Sequence, residues 1–163
     1  MKSITLFTAA IFLSLGVAAR AETTITLTGL HNCCAGCEKG INKALTSVEG
    51  VNATVTDDKA TITAKTKTEA DKAVDALLAA GYYGVGAPEQ KVTDKKVKSA
   101  TVRGTHLCCG KCVTGIANAV KTIPGATGHT ATKGAKSFTV EGDFNLKDLL
   151  AALNKAGFNG DVK

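Results

Sequence analysis

The strongest constraint on this chain is that it states one programme twice, 75 residues apart. Gly29, His31, Cys34, Cys37, Gly40, Ile41, Ala44 and Gly50 recur as Gly104, His106, Cys109, Cys112, Gly115, Ile116, Ala119 and Gly125. A solenoid needs three or more copies to build a continuous core, so two copies imply two like units in tandem. The 163 residues suffice for two small domains, and 44% hydrophobic against 21% charged residues is a globular balance. With no Trp, two Tyr and five Phe, each core rests on Ala, Val, Ile and Leu.

Hydrophobic periodicity supplies the elements. Thr24 to Thr28 alternate as a half-buried strand with Ile25 and Leu27 inward. From Cys34 onward, Ile41, Ala44, Leu45 and Val48 mark one face of a helix that stops near Glu49 and Gly50. Strands fit Ala53 to Thr56 and Ala60 to Ala64, joined by a turn at Asp57, Asp58 and Lys59. A second helix fits Glu69 to Ala80, with Ala70, Ala73, Val74, Leu77 and Leu78 inward and Thr68 as its cap, and a last strand runs from Tyr83 to Ala87. The second copy supplies a helix bearing Ile116, Ala119, Val120 and Ile123, a strand around Ser137 to Val140 and a helix from Leu146 to Lys155.

The order is βαββαβ in each copy, the split βαβ arrangement of an α+β domain, in which two helices cover one face of a four-stranded antiparallel sheet. The expected domains are 22–90 and 98–163, joined by a polar linker at 91–97, and each is expected to fold alone. Residues 1–21 read as an export signal. Lys2 precedes an apolar run from Ile4, and Ala19-Arg20-Ala21 has the small-x-small form of a cleavage site, which places the mature start at Glu22. Thr5, Thr8 and Ser14 interrupt that run, against a membrane anchor. A periplasmic or secreted protein without membrane insertion after signal removal is expected.

All six cysteines lie in the two loops, as His31-Asn32-Cys33-Cys34-Ala35-Gly36-Cys37 and His106-Leu107-Cys108-Cys109-Gly110-Lys111-Cys112. Cys34 with Cys37, and Cys109 with Cys112, form Cys-x-x-Cys pairs whose thiols face one side when the second member enters a helical turn. Cys37 and Cys112 are expected at helix N-termini, where backbone amides favour the thiolate. Such pairs suit a soft ion such as Cu(I). Cys33 and Cys108 add a third sulfur, His31 and His106 a nitrogen, and one His with three Cys is also a tetrahedral zinc set. In an exported chain the same cysteines have a disulfide as their default state, although three per copy leaves one thiol over.

Glu38 and Val113 stand where covalent haem attachment needs His. His129 has no counterpart, Thr54 occupying that offset, and reads as a surface residue. Removal of Lys2 and Arg20 takes the formal charge from +6 to +4, and the lysines are scattered without interleaved aromatics, which excludes nucleic acid as partner.

Each half resembles the heavy-metal-associated domain, the ferredoxin-like module of copper chaperones, of the amino-terminal repeats of metal-transporting ATPases and of the periplasmic mercury-scavenging protein. Cys34, Cys37, Cys109 and Cys112 match the two metal-binding cysteines of that family's Gly-Met-x-Cys-x-x-Cys loop, and Ala80-Gly81-Tyr82 and Ala156-Gly157-Phe158 extend the likeness. The resemblance implies a non-enzymatic soft-metal chaperone or scavenger, for Cu(I) first and Hg(II) or Zn(II) next. Its partners would be a membrane metal transporter or another metal-binding protein. It also implies that Tyr82 and Phe158 lie near the metal loop, where the residue pattern alone reads them equally as core rings. The chain departs from the family at His31, Asn32, Cys33 and at His106, Leu107, Cys108, which permits a three- or four-ligand site. Leu107 can replace the Met that anchors the family's loop, whereas Asn32 is a poor anchor. The competing class is a thiol-disulfide redox protein using the same cysteines. Its usual loop-facing proline is missing, because Pro88 and Pro124 fall in the linker and at a helix end.

Overall fold

The structure is a computed structural model that describes residues 22–163, so the export signal expected at 1–21 lies outside the described residues. The first half runs β1 (Thr23–Leu27), α1 (Ala35–Thr46), β2 (Val51–Thr56), β3 (Lys59–Ala64) and α2 (Lys67–Ala79). The second runs β4 (Lys96–Arg103), α3 (Gly110–Lys121), β5 (Ala126–His129), β6 (Ser137–Asn145), α4 (Leu146–Lys155) and β7 (Asp161–Val162). The chain is α+β, with antiparallel sheets ordered β1-β3-β2 and β5-β6-β4-β7. In the second half the central pair is β6 and β4, so the loop after β4 leaves from mid-sheet and enters α3, whereas in the first half β1 lies at the sheet edge beside β3 and the loop after it enters α1.

Helix faces follow the periodicity. Ile41, Ala44 and Leu45 of α1 are buried, as are Ala70, Ala73, Val74, Leu77 and Leu78 of α2. The cap of α2 is Thr66 rather than Thr68. Its hydroxyl accepts from the Glu69 N–H while the Glu69 carboxylate accepts from the Thr66 N–H, a reciprocal box that satisfies two free helix-end donors.

Two expectations fail, and two strands appear that the residue pattern does not mark. The expected strand from Tyr83 to Ala87 is reduced to an isolated pairing of Val85 with Thr28, so the first sheet has three strands. Glycine is the reason: a Cβ on Gly84 would lie 2.8 Å from the Leu27 side chain and one on Gly86 2.6 Å from the Thr26 carbonyl, and Gly86 has φ +108°. The segment crosses close over β1 and lacks the extended, side-chain-bearing run that a ladder needs. Strand β5 has no signal in the sequence because its four residues include Ala126 and Gly128, both of weak strand preference, and β7 is only two residues long. The expected linker is shorter than 91–97, since β4 begins at Lys96. Asp94 is tied to the second half by Asn145 at 2.7 Å and Lys147 at 3.1 Å.

The two halves do not stand apart. They dock through a reciprocal set of backbone bonds around Gly81 and Gly157: Tyr83 N–H donates to the Gly157 carbonyl and Asn159 N–H to the Gly81 carbonyl, each at 3.0 Å. His31 N–H adds a bond to the Gly157 carbonyl and His106 N–H one to the Gly81 carbonyl. Tyr82 and Phe158 pair across this seam, both fully buried, and the Asn159 amide donates to the Leu78 carbonyl at 2.7 Å. The buried apolar residues of both halves form one contiguous cluster. No helix among the described residues is long and apolar enough to cross a membrane.

Gly81 and Gly157 make this approach feasible. They hold φ +88° and +82°, and a Cβ on Gly81 would clash with the His106 backbone N, one on Gly157 with the His31 backbone N. Gly81→Ala and Gly157→Ala are each expected to lower stability by at least ~1–2 kcal/mol, the cost of a left-handed residue with a Cβ, before the clash is added. Thermal unfolding checks this, and Gly134→Ala is the control, having similar φ (+80°) with open space around it.

Candidate metal centre

The docking seam brings the two cysteine loops face to face. Cys34 is the N-cap of α1 and Cys109 the N-cap of α3, both with extended backbone, and Cys37 and Cys112 lie one turn inside their helices, fully buried. Cys33 and Cys108 are half-buried at the ends of the loops. All six are free thiols. Within the loops, the Cys34 and Cys37 sulfurs are 3.7 Å apart, as are those of Cys109 and Cys112. Across the seam, Cys33 meets Cys109 at 3.7 Å, Cys34 meets Cys108 at 3.6 Å, Cys37 meets Cys108 at 3.6 Å and Cys37 meets Cys112 at 3.9 Å. The expectation of one site per loop is therefore replaced by a single cluster to which both loops contribute every sulfur.

These spacings are those of reduced thiols and match sulfurs that could share an ion. Bonded sulfurs lie about 2.05 Å apart, whereas two sulfurs bound tetrahedrally to one ion at about 2.3 Å lie about 3.8 Å apart. Three groups have ligand atoms mutually within 4.8 Å: His31, Cys33, Cys37, Cys112; Cys37, His106, Cys108, Cys112; and Cys33, Cys34, Cys109. The eight loop residues singled out in the sequence all fall in these groups.

The imidazoles are placed by the opposite half. His31 stacks on Phe158 with ring centroids 4.1 Å apart, and His106 on Tyr82 at 4.4 Å. Each histidine thus lies on an aromatic ring of the other half. Tyr82 also donates its hydroxyl to the Cys37 carbonyl at 3.1 Å, so both aromatic residues are core rings and supports of the metal loop at once. Nε2 of each histidine is buried without a hydrogen-bond partner. Burial lowers both imidazole pKa values, which favours the neutral form with a free lone pair, and a hydrogen bond to the Ala156 backbone partly opposes the shift at His31. A ring nitrogen held by backbone while the other stays free is the usual disposition of a metal-binding histidine.

The thiols divide into two kinds. The Cys112 backbone N–H beside the Cys109 sulfur lowers that pKa to about 6, and the Cys37 N–H lowers Cys34 in the same way. Desolvation raises Cys33, Cys108 and Cys112, with neighbouring thiols adding to the shift at Cys33. The favoured thiolates are therefore the N-cap cysteines; Cys37 and Cys112 lie buried in the first helical turn, as expected, but Cys112 is raised by desolvation and the backbone N–H groups of the two serve the N-cap sulfurs.

The loop anchors also differ between halves. Leu107 is buried as expected, but in the first half the anchor is Leu30, two residues earlier in the repeat, while Asn32 turns outward to donate to the Asp57 carbonyl at 2.7 Å. His129 is half-buried and accepts from the Ala131 N–H at 3.1 Å, a local turn contact away from the cluster.

Two α+β halves carrying thiols at helix N-termini define a chain that resembles the heavy-metal-associated domains, with the difference that its two loops converge. No protein-family model matches the chain. Over 131 residues, 77% of its length, it is 28% identical to copper-transporting ATPase 2 of Rhizobium meliloti (strain 1021), of which it spans 14%. Among solved structures, the N-terminal soluble domains of Bacillus subtilis CopA are 20% identical, with 88% of this chain and 95% of that one aligned, at a TM-score of 0.35, a superposition too loose to bear on the fold.

Because a depressed pKa keeps the thiolate present below the ordinary Cys range near 8.5, Cys109 and Cys34 of the reduced metal-free protein are expected to be alkylated first by iodoacetamide at pH 7. The Cys109 rate should be half-maximal near pH 6, while Cys33 and Cys108 gain reactivity only as pH rises well above 8. Peptide mass spectrometry of timed samples reads this order.

Proposed function

We propose that the protein is an exported, non-enzymatic carrier or scavenger of a soft metal ion, Cu(I) first and Hg(II) or Zn(II) next. Its loop-bearing units are 22–90 and 98–163, and it passes the ion by ligand exchange to a membrane metal transporter or another metal-binding protein. The observation that carries this reading is the sulfur spacing of 3.6 to 4.0 Å across both loops, the spacing of thiolates that share an ion. Soft sulfur donors with two imidazoles select Cu(I) over hard cations. The similarity to a protein named for copper transport agrees in direction.

Transfer follows from how the sulfurs are layered. Cys34 and Cys109 are partly exposed and readily deprotonated, so an incoming ion or a partner's thiolate meets them first. Cys37 and Cys112 are buried beneath and hold the ion away from water. Binding displaces protons from the thiols that burial keeps protonated, and metal affinity accordingly rises with pH.

Anaerobic titration of the reduced chain with Cu(I) against a competing chelator tests the reading. Tight uptake is expected, and Cys34→Ser/Cys37→Ser should lower capacity by more than half, because sulfurs of the second loop lose partners too. A reduced chain that leaves Cu(I), Hg(II) and Zn(II) with the chelator, yet exchanges disulfides with a substrate thiol, would establish the redox class instead. Intact-mass analysis of exported protein is expected to show a chain starting at Glu22.

A further inference from the structure

Two of the ligand groups are related by the repeat and overlap in a specific way. His31, Cys33, Cys37 and Cys112 form one, and their counterparts His106, Cys108, Cys112 and Cys37 form the other. Cys37 and Cys112 belong to both, being exchanged by the 75-residue offset. Their sulfurs lie 3.9 Å apart at the centre of the seam, fully buried, with Cys33 and His31 to one side and Cys108 and His106 to the other.

We infer that the cluster is a two-ion thiolate-bridged centre. Cys37 and Cys112 bridge both ions, His31 and Cys33 complete the first, and His106 and Cys108 complete the second. This rests on the metal-carrier reading above and deepens it. Each ion then has three sulfurs and one nitrogen, the tetrahedral set, supplied by both halves. Neither half holds a complete site, since each ion takes one bridging sulfur from the opposite half.

Three independent features point the same way. Cys33 approaches both bridges, Cys37 at 3.6 Å and Cys112 at 4.0 Å, and Cys108 approaches the same two at 3.6 and 3.8 Å. The two Nε2 atoms are buried without partners, so an ion at each position would satisfy them. The rings that hold the imidazoles, Phe158 and Tyr82, come in each case from the opposite half, so the docked seam itself prepares the ligand geometry. Two ions sharing sulfurs 3.9 Å apart, each bound at about 2.3 Å, lie less than about 3 Å from one another. The group Cys33, Cys34 and Cys109, nearer the surface, is the entry side of this centre.

The test is native mass spectrometry and copper X-ray absorption on the reduced full chain loaded anaerobically with Cu(I) alone. At least two Cu(I) per chain, little single-ion species at partial loading and a copper–copper scattering path shorter than about 3 Å are expected from the shared sulfurs. His31→Gln with His106→Gln should remove the nitrogen contribution while the copper–copper path persists, and Cys37→Ser, which leaves only the Cys112 bridge, should lengthen that path. If circular dichroism shows Cys37→Ser unfolded, the wild-type spectrum decides alone. One Cu(I) per chain, or two with no copper–copper path, overturns the bridged centre and leaves the carrier reading standing. No Cu(I) retained against the chelator overturns both.

Discussion

The whole arrangement depends on the close backbone approach at Gly81 and Gly157. Each residue ends the second helix of its half in a left-handed conformation, and each lets the opposite loop's histidine backbone lie where a Cβ would otherwise be. From that contact the rest follows by geometry. The aromatic residue after each glycine is buried in the seam, each histidine stacks on the ring of the other half, and the loops that carry the histidines are brought sulfur to sulfur. An apolar seam alone would leave the register of the loops free. The four backbone hydrogen bonds to the Gly81 and Gly157 carbonyls fix it.

A cluster of six thiols is costly to keep ionised, because every added charge is repelled by its neighbours and the inner sulfurs are shut off from water. The chain resolves this by depth. Helix amides stabilise negative charge on the outer Cys34 and Cys109, while burial keeps Cys33, Cys108 and Cys112 protonated in the absence of a cation. A soft cation removes the penalty by taking the place of the protons.

Much of the fold was legible in one dimension. The buried face of α2 appears residue for residue in the 3.6-residue spacing, that of α3 at Ile116, Ala119 and Val120 with Ile123 falling just past the helix end, and the boundaries of α4 coincide with the expected Leu146 to Lys155. The sequence is silent where local chemistry is weak or where glycine dominates: strand β5 with its Gly128, and the Gly84–Gly86 segment, whose alternating apolar residues imitate a strand while its glycines serve a close crossing over β1. The cap of α2 is Thr66 rather than Thr68, and the signal for it lies in the sequence itself, since Glu69 stands three residues after Thr66 in the capping-box spacing.

The sequence by itself determined the candidate donors, six cysteines and two histidines in two loops, each loop set between a strand and a helix, because the repeat and the cysteine spacing are local patterns. It carried no sign that the two loops share one centre. That was decided by the tertiary structure, since the distance from Cys37 to Cys112 depends on how two halves dock through Gly81, Tyr82, Gly157 and Phe158. Those four residues read locally as helix ends and core rings. Their reciprocal fit exists only when both halves are folded and facing, which is a long-range property that no window of sequence contains.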